Sequence, residues 1–162
     1  LLTSSSPQMI LRQLRWGLER FEGYVGINNH MGSLFTSDID GMQVVMRELK
    51  RRGLLFLDSR TSGKTVGASI SREYNVPVTE RNIFLDNVNT VPAINKQLQI
   101  MEKIAIKKGY VVAIAHPRDA TIQALSQWLA VMAERGLVQV PISTIVAEQQ
   151  NLSPINIGHI RD

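Results

Sequence analysis

Two histidines and two aspartates stand where short apolar runs give way to polar clusters. His30 lies in NNHMGS (Asn28 to Ser33) after YVGI, Asp58 opens DSRTS after LLFL, Asp86 lies in FLDN after IF, and His116 follows VVAIA in AHP. Imidazole and carboxylate side chains move protons near neutral pH, and imidazole also ligates divalent metals. If the apolar runs are parallel strands, all four clusters fall at the carboxyl ends of strands, where α/β proteins place their ligand sites.

Each residue admits a quieter reading. His30, between two asparagines and Met31-Gly32-Ser33, is placed to ligate a metal or shuttle a proton, or it is a hydrogen-bonding loop residue. Asp58 and Asp86 each have an arginine close by, Arg60 and Arg81. Ion pairs of that kind can tie loops to a sheet. Equally, such carboxylates can accept from the far nitrogen of a catalytic or metal-bound histidine. His116 precedes Pro117, which turns the backbone away from helix at a sheet edge, and it is the better general-acid candidate. His159, in a tail with Pro154 and Gly158, reads as surface or partner-facing.

TSGKT (Thr61 to Thr65) matches the end of a phosphate-binding loop, but Asp58 occupies the first glycine position of that pattern. A carboxylate there opposes phosphate charge and lacks glycine's freedom in the turn, so an ordinary helix start is the favoured reading. G-x-S-x-G, H-E-x-x-H and G-x-G-x-x-G are absent from the sequence, which removes the common serine hydrolase, zincin and Rossmann signals.

The elements that must position these residues alternate. Ser6 and Pro7 predict a helix start, and Leu11, Leu14, Leu18 and Phe21 carry it over about 7–22. Ser37, Asp38 and Asp40 open a second helix with Ile39, Met42, Val45, Met46 and Leu49 on one stripe, ending at Gly53. A third runs from about Lys64 to Tyr74 with Val66 and Ile70 inward. Thr90 caps a fourth that carries Ile94, Leu98, Met101 and Ala105 to Gly109, and Asp119 begins a fifth with Ile122, Leu125, Leu129 and Met132. Strands are predicted at YVGI, LLFL, RNIFLD, YVVAIA and LVQV. Short connections between alternating helices and strands imply right-handed crossovers and a parallel sheet, open or part of a (β/α) barrel.

The totals fit one globular domain: 162 residues, 44% hydrophobic and 20% charged. A net charge of +4 does not point to nucleic acid, because Lys50, Arg51 and Arg52 precede Gly53 and Lys107 and Lys108 precede Gly109. Those are last helical turns, where cations complement the dipole. The absence of cysteine excludes thiol nucleophiles and zinc ribbons. No stretch approaches the roughly 20 apolar residues of a membrane span.

Together, GINNHMGSLFT, LLFLDSRTS, RNIFLDN and VVAIAHPRDATIQAL, in that order, resemble the divergent polysaccharide deacetylase family, a branch of the carbohydrate deacetylases of the nodulation type. The resemblance runs from Leu1 to about Pro141. It implies an α/β fold, a parallel (β/α) barrel-like domain, distorted and incomplete, over residues 1–148, with a C-terminal tail at 149–162. A full barrel of this kind has about seven strands, so the chain is expected to be its C-terminal two-thirds, with an Asp-Asp pair on an earlier strand.

What the resemblance implies for function is a hydrolase that removes acetyl groups from an envelope carbohydrate with a divalent metal, zinc foremost. His116 is implied as general acid, Asp86 and Arg60 as catalytic partners, and His30 as a metal ligand. Asn28, Asn29, Ser33 and Asp58 are implied to bind substrate. A bacterial periplasmic or envelope location follows from the same source, as does self-association through open barrel edges. The alternatives are a glycan- or partner-binding module of the same fold without turnover and, more remotely, a nucleotide-binding protein using TSGKT.

Overall fold

A computed structural model describes residues 1–150. His159, Pro154 and Gly158 lie outside the described residues. The elements run α1 (Pro7–Leu18), β1 (Gly26–Asn28), α2 (Ile39–Arg52), β2 (Leu55–Asp58), α3 (Gly67–Glu73), β3 (Val78–Glu80), β4 (Ile83–Phe84), α4 (Val91–Lys108), β5 (Ala113–Ile114), α5 (Asp119–Val131) and α6 (Ile142–Gln149). Every strand pairing is parallel. This is the α/β class that alternation implied, and the strands form two sheets, β1-β2-β3 and β4-β5.

The chain divides into two compact units. In the first, Leu1–Glu80 with the chain from Ser143, α2 and α3 pack against the three-stranded sheet and α1 packs on α2. Ser6 caps α1 by accepting from the Met9 amide, with Pro7 opening the helix as predicted. Asp38 caps α2 by accepting from the Gly41 amide at 3.0 Å, and Gly53 ends it at φ 68°. Met42, Val45, Met46 and Leu49 on α2 meet Ile10, Leu14 and Leu18 of α1 and Phe56 and Val78 of the sheet in one core.

Beside that core lies the buried carboxylate of Glu48, 2% exposed, which binds Arg15, Arg51 and Arg52. The cations at the end of α2 are therefore more than dipole partners. Hydrogen bonds from Arg51 outweigh the upward push of burial, and those from Arg15 and Arg52 add to them, holding the Glu48 carboxyl far below the usual carboxylate range.

The second unit, Arg81–Ile142, has its own core. Ile94, Leu98 and Met101 of α4 pack with Ile83, Leu85 and Ala124. Gly109 at φ 81° ends α4, as its position after Lys107 and Lys108 predicts.

Several local expectations are corrected. LVQV (137–140) makes no ladder, and β3 forms instead from Val78–Glu80, just after Pro77. Pro77 needs no amide there: its carbonyl accepts from Phe56 at 2.8 Å while its φ suits the approach to an edge strand. Helix α1 stops at Leu18, leaving Phe21 76% exposed. Thr90 holds the cap position of α4 without making the side-chain bond. On α5 the buried face is Thr121 and Ala124, whereas Ile122 and Leu129 are exposed, so the true stripe is rotated by about one residue. Small residues seat this helix closely, and hydrophobicity alone misjudged its phase. Helix α6 forms after Pro141, where the sequence pattern predicts no element.

Candidate functional site

The polar clusters sit at strand ends in both units, and each is wired by its own hydrogen bonds. In the first unit the loops after β1 and β2 are joined through asparagine side chains. Asn28 Nδ2 donates to Ser59 Oγ at 3.1 Å. Asn29 works at both ends of its amide: Oδ1 accepts from the Ser59 N–H at 2.8 Å and Nδ2 donates to Thr61 Oγ1 at 3.2 Å. Thr61 in turn donates to the Met31 carbonyl at 3.1 Å. Met31 and Arg60 both hold positive φ, 59° and 49°, a conformation costly for residues with a Cβ and sustained here by the bonds on either side.

Asp58, the last residue of β2, is fully buried. Its carboxylate accepts from the Arg60 N–H at 2.8 Å and from the Thr65 hydroxyl at 2.9 Å. Gly67 makes room, since a Cβ there would lie 2.8 Å from Asp58 Oδ2. Asp58 thus meets Arg60 through the backbone amide, while the guanidinium reaches Glu80 at 2.8 Å, a carboxylate shared with Arg72. The Thr65 hydroxyl, which a phosphate loop would direct at a nucleotide-bound metal, is taken by Asp58. His30 and Ser33 are exposed on the loop after β1.

The second unit brings Asp86 and His116 together. Asp86 follows β4 and is 1% exposed; His116 follows β5, its side chain 34% exposed. The parallel pairing of β4 with β5 sets Phe84 opposite Ile114, so the chain positions two residues further along each strand also face one another. Asp86 Oδ2 accepts the His116 N–H at 2.8 Å and the Thr121 hydroxyl at 3.1 Å, and Oδ1 faces His116 Nδ1 at 3.2 Å. Burial pushes the Asp86 carboxyl up, but the bonds from His116 and Thr121 outweigh it and leave the group below its usual value. At neutral pH the residue is therefore an ionised acceptor. An ionised Oδ1 selects the tautomer with the proton on Nδ1, making Nε2 the proton-accepting nitrogen of the ring. The Phe84 ring lies 5.4 Å from the imidazole, centroid to centroid, and the Arg81 guanidinium stands over Phe84 at 5.4 Å.

Sequence reasoning reached Ser59, Thr61 and Thr65 only as members of DSRTS and TSGKT, without their partners, and gave no role to Glu80 or Thr121, all of them partners of the residues it singled out. Thr121 carried a visible signal, a hydroxyl in the first turn of the helix predicted to begin at Asp119.

Among the described residues no group of three or more His, Cys, Asp or Glu side chains is disposed to hold a metal ion. The residues present do not by themselves fit the ion that the fold family implies.

The description of the divergent polysaccharide deacetylase family fits residues 1–146. An uncharacterized protein of Haemophilus influenzae (strain ATCC 51907 / DSM 11121 / KW20 / Rd) is 41% identical over 110 residues, 68% of this chain and 39% of its own length. The uncharacterized protein YibQ of Escherichia coli (strain K12) is 39% identical over 122 residues, 75% of this chain and 38% of its own length. The crystal structure of the uncharacterized protein ATU2773 from Agrobacterium tumefaciens C58 superposes with a TM-score of 0.87 at 28% identity, over 90% of this chain and 59% of its own. The chain spans about two fifths of the length of the curated relatives it matches. With the family match running from Leu1 to Val146, this chain belongs to the divergent polysaccharide deacetylase family.

Proposed function

We propose that this chain is the part of a carbohydrate deacetylase-like hydrolase, barrel-like in frame, that supplies the proton-transfer histidine. The observation that carries the proposal is the Asp86–His116 pair: a buried, ionised carboxylate fixing the tautomer of a half-buried imidazole at a strand end. Water adds to the acetyl carbonyl as its proton passes to His116 Nε2, the bond from carbonyl carbon to amine or alcohol then breaks, and Nε2 delivers that proton to the departing nitrogen or oxygen. The proton shed by water balances the one given, so acetate and a free amino or hydroxyl group are the products. A positioned general acid of this kind contributes about 10²-fold to 10⁴-fold in rate.

Within the first unit, Arg60 with Asp58 behind it is proposed as a catalytic partner, and Asn28, Asn29 and Ser33 are proposed to present amide and hydroxyl groups to a sugar. His30 is the chain's candidate ligand for a divalent metal, zinc foremost. A bacterial envelope location and self-association belong to the same proposal. Its support is the family and the chemistry of the strand ends.

The test is acetate release from N- and O-acetylated oligosaccharides by the full-length protein, with His116→Ala alongside. Loss of release in the variant, with folding intact, is the expected result. Glycan binding without acetate release under metal-replete conditions would overturn the hydrolase and identify a binding module. Metal content measured on the same samples is expected to be stoichiometric and to fall in His30→Ala.

A further inference from the structure

We infer that Thr121 is a positioning residue for the Asp86–His116 pair: its hydroxyl holds the carboxylate in the orientation that sets the imidazole tautomer. The catalytic consequence rests on the deacetylase reading; the positioning does not.

Among the described residues three bonds reach the Asp86 carboxylate, and they are unequal. The His116 ring is the longest partner, at 3.2 Å on Oδ1, while Oδ2 is held by the His116 N–H at 2.8 Å and by Thr121 Oγ1 at 3.1 Å. Rotation of the carboxylate toward the ring would break both bonds on Oδ2. The carboxylate plane is therefore set from the main chain and from α5, and the ring adapts to it. Thr121 is suited to this task because it is 2% exposed and β-branched, so the helix restricts its χ1. A threonine in a helix commonly spends its hydroxyl on the carbonyl of the preceding turn. Here the hydroxyl has one proton, and an ionised carboxylate can only accept it. Without that bond Oδ2 keeps a single donor, the carboxylate is free to turn, and Nδ1 loses its fixed acceptor. The same pull on Asp86 contributes to keeping that group ionised.

The experiment is long-range ¹H–¹⁵N NMR on histidine-labelled full chain, with the His116 signals assigned by their loss in His116→Gln. Wild type is expected to show the tautomer protonated on Nδ1. Thr121→Val and Thr121→Ala are expected to show averaged shifts from mixed tautomers, and Thr121→Ser to restore the wild-type pattern. In acetate release, Thr121→Val is expected to lower kcat about 10-fold to 100-fold. KM should stay within about twofold, since binding contacts are untouched. An unchanged tautomer in Thr121→Val or Thr121→Ala, whichever folds, would overturn the inference, as would mixed tautomers in Thr121→Ser. Absence of acetate release in wild type would sink the deacetylase reading, while the NMR arm would still decide the role of Thr121.

Discussion

Asp86 is a charge kept in a nearly closed environment by three donors, and its behaviour with pH follows from that. Its folded pKa lies below the ordinary carboxylate value, so the stabilisation it provides is complete above about pH 3.9. That stabilisation is lost as pH falls through the lower, folded value. Asp86→Asn should flatten the acid side of the stability curve, as chemical denaturation at pH 3 and pH 7 would show, with a loss at neutral pH of about 1.5–3 kcal/mol for a hydrogen-bonded charge. The same variant should also reduce acetate release, because an asparagine amide no longer selects the Nδ1 proton. Glu48 obeys the same sign with three arginine partners. Glu48→Gln is expected to cost about 2 kcal/mol, discounted for the exposure of Arg15 and Arg51, and to shrink the acid dependence further. At this scale the sequence showed which side chains can do chemistry but not whom they touch. His116 and Asp86 were legible as strand-end residues, yet a separation of 30 positions carries no periodicity from which their contact could be read.

Elements place those residues through caps and close approaches. Asp38 ends the polar approach to α2 and accepts from the Gly41 amide, so Asp38→Ala should lower stability by about 1 kcal/mol in thermal or denaturant unfolding. Gly67 admits α3 against Asp58, where an added Cβ would crowd Oδ2 at 2.8 Å and the Phe56 ring at 2.9 Å. Gly67→Ala should therefore cost about 1–3 kcal/mol, the range for overpacking a filled interior, with Thr65 and Arg60 amide shifts in NMR marking the displaced carboxylate. Caps and glycine stops were readable because they act within four residues: Ser6-Pro7, Asp38, Gly53 and Gly109 all stand where the sequence put them. The phase of α5 was not readable, because Thr121 and Ala124 face inward for reasons of fit and hydrogen bonding that hydrophobicity does not express. LVQV looked like a strand by residue type, but a strand exists only where a neighbour accepts its ladder bonds.

Across the molecule two cores are each built from their own helices and sheet. Met46 and Ile94 are the respective fully buried anchors, and Ile94→Ala should destabilise its unit by about 2–5 kcal/mol, checked by hydrogen exchange across α4. The sequence by itself determined the alternation of helices and parallel strands, the polar clusters at strand ends and membership of a deacetylase-like family. Those features are written in local periodicity, in capping residues and in the order of short motifs. Only the tertiary structure decided that Asn29 clips the loops after β1 and β2, that Asp58 spends its carboxylate on Arg60's amide and Thr65, and that Thr121 stands behind Asp86 and His116. The reason is physical: a hydrogen bond between residues tens of positions apart depends on how strands register and helices turn, and neither leaves a mark in the spacing of the chain.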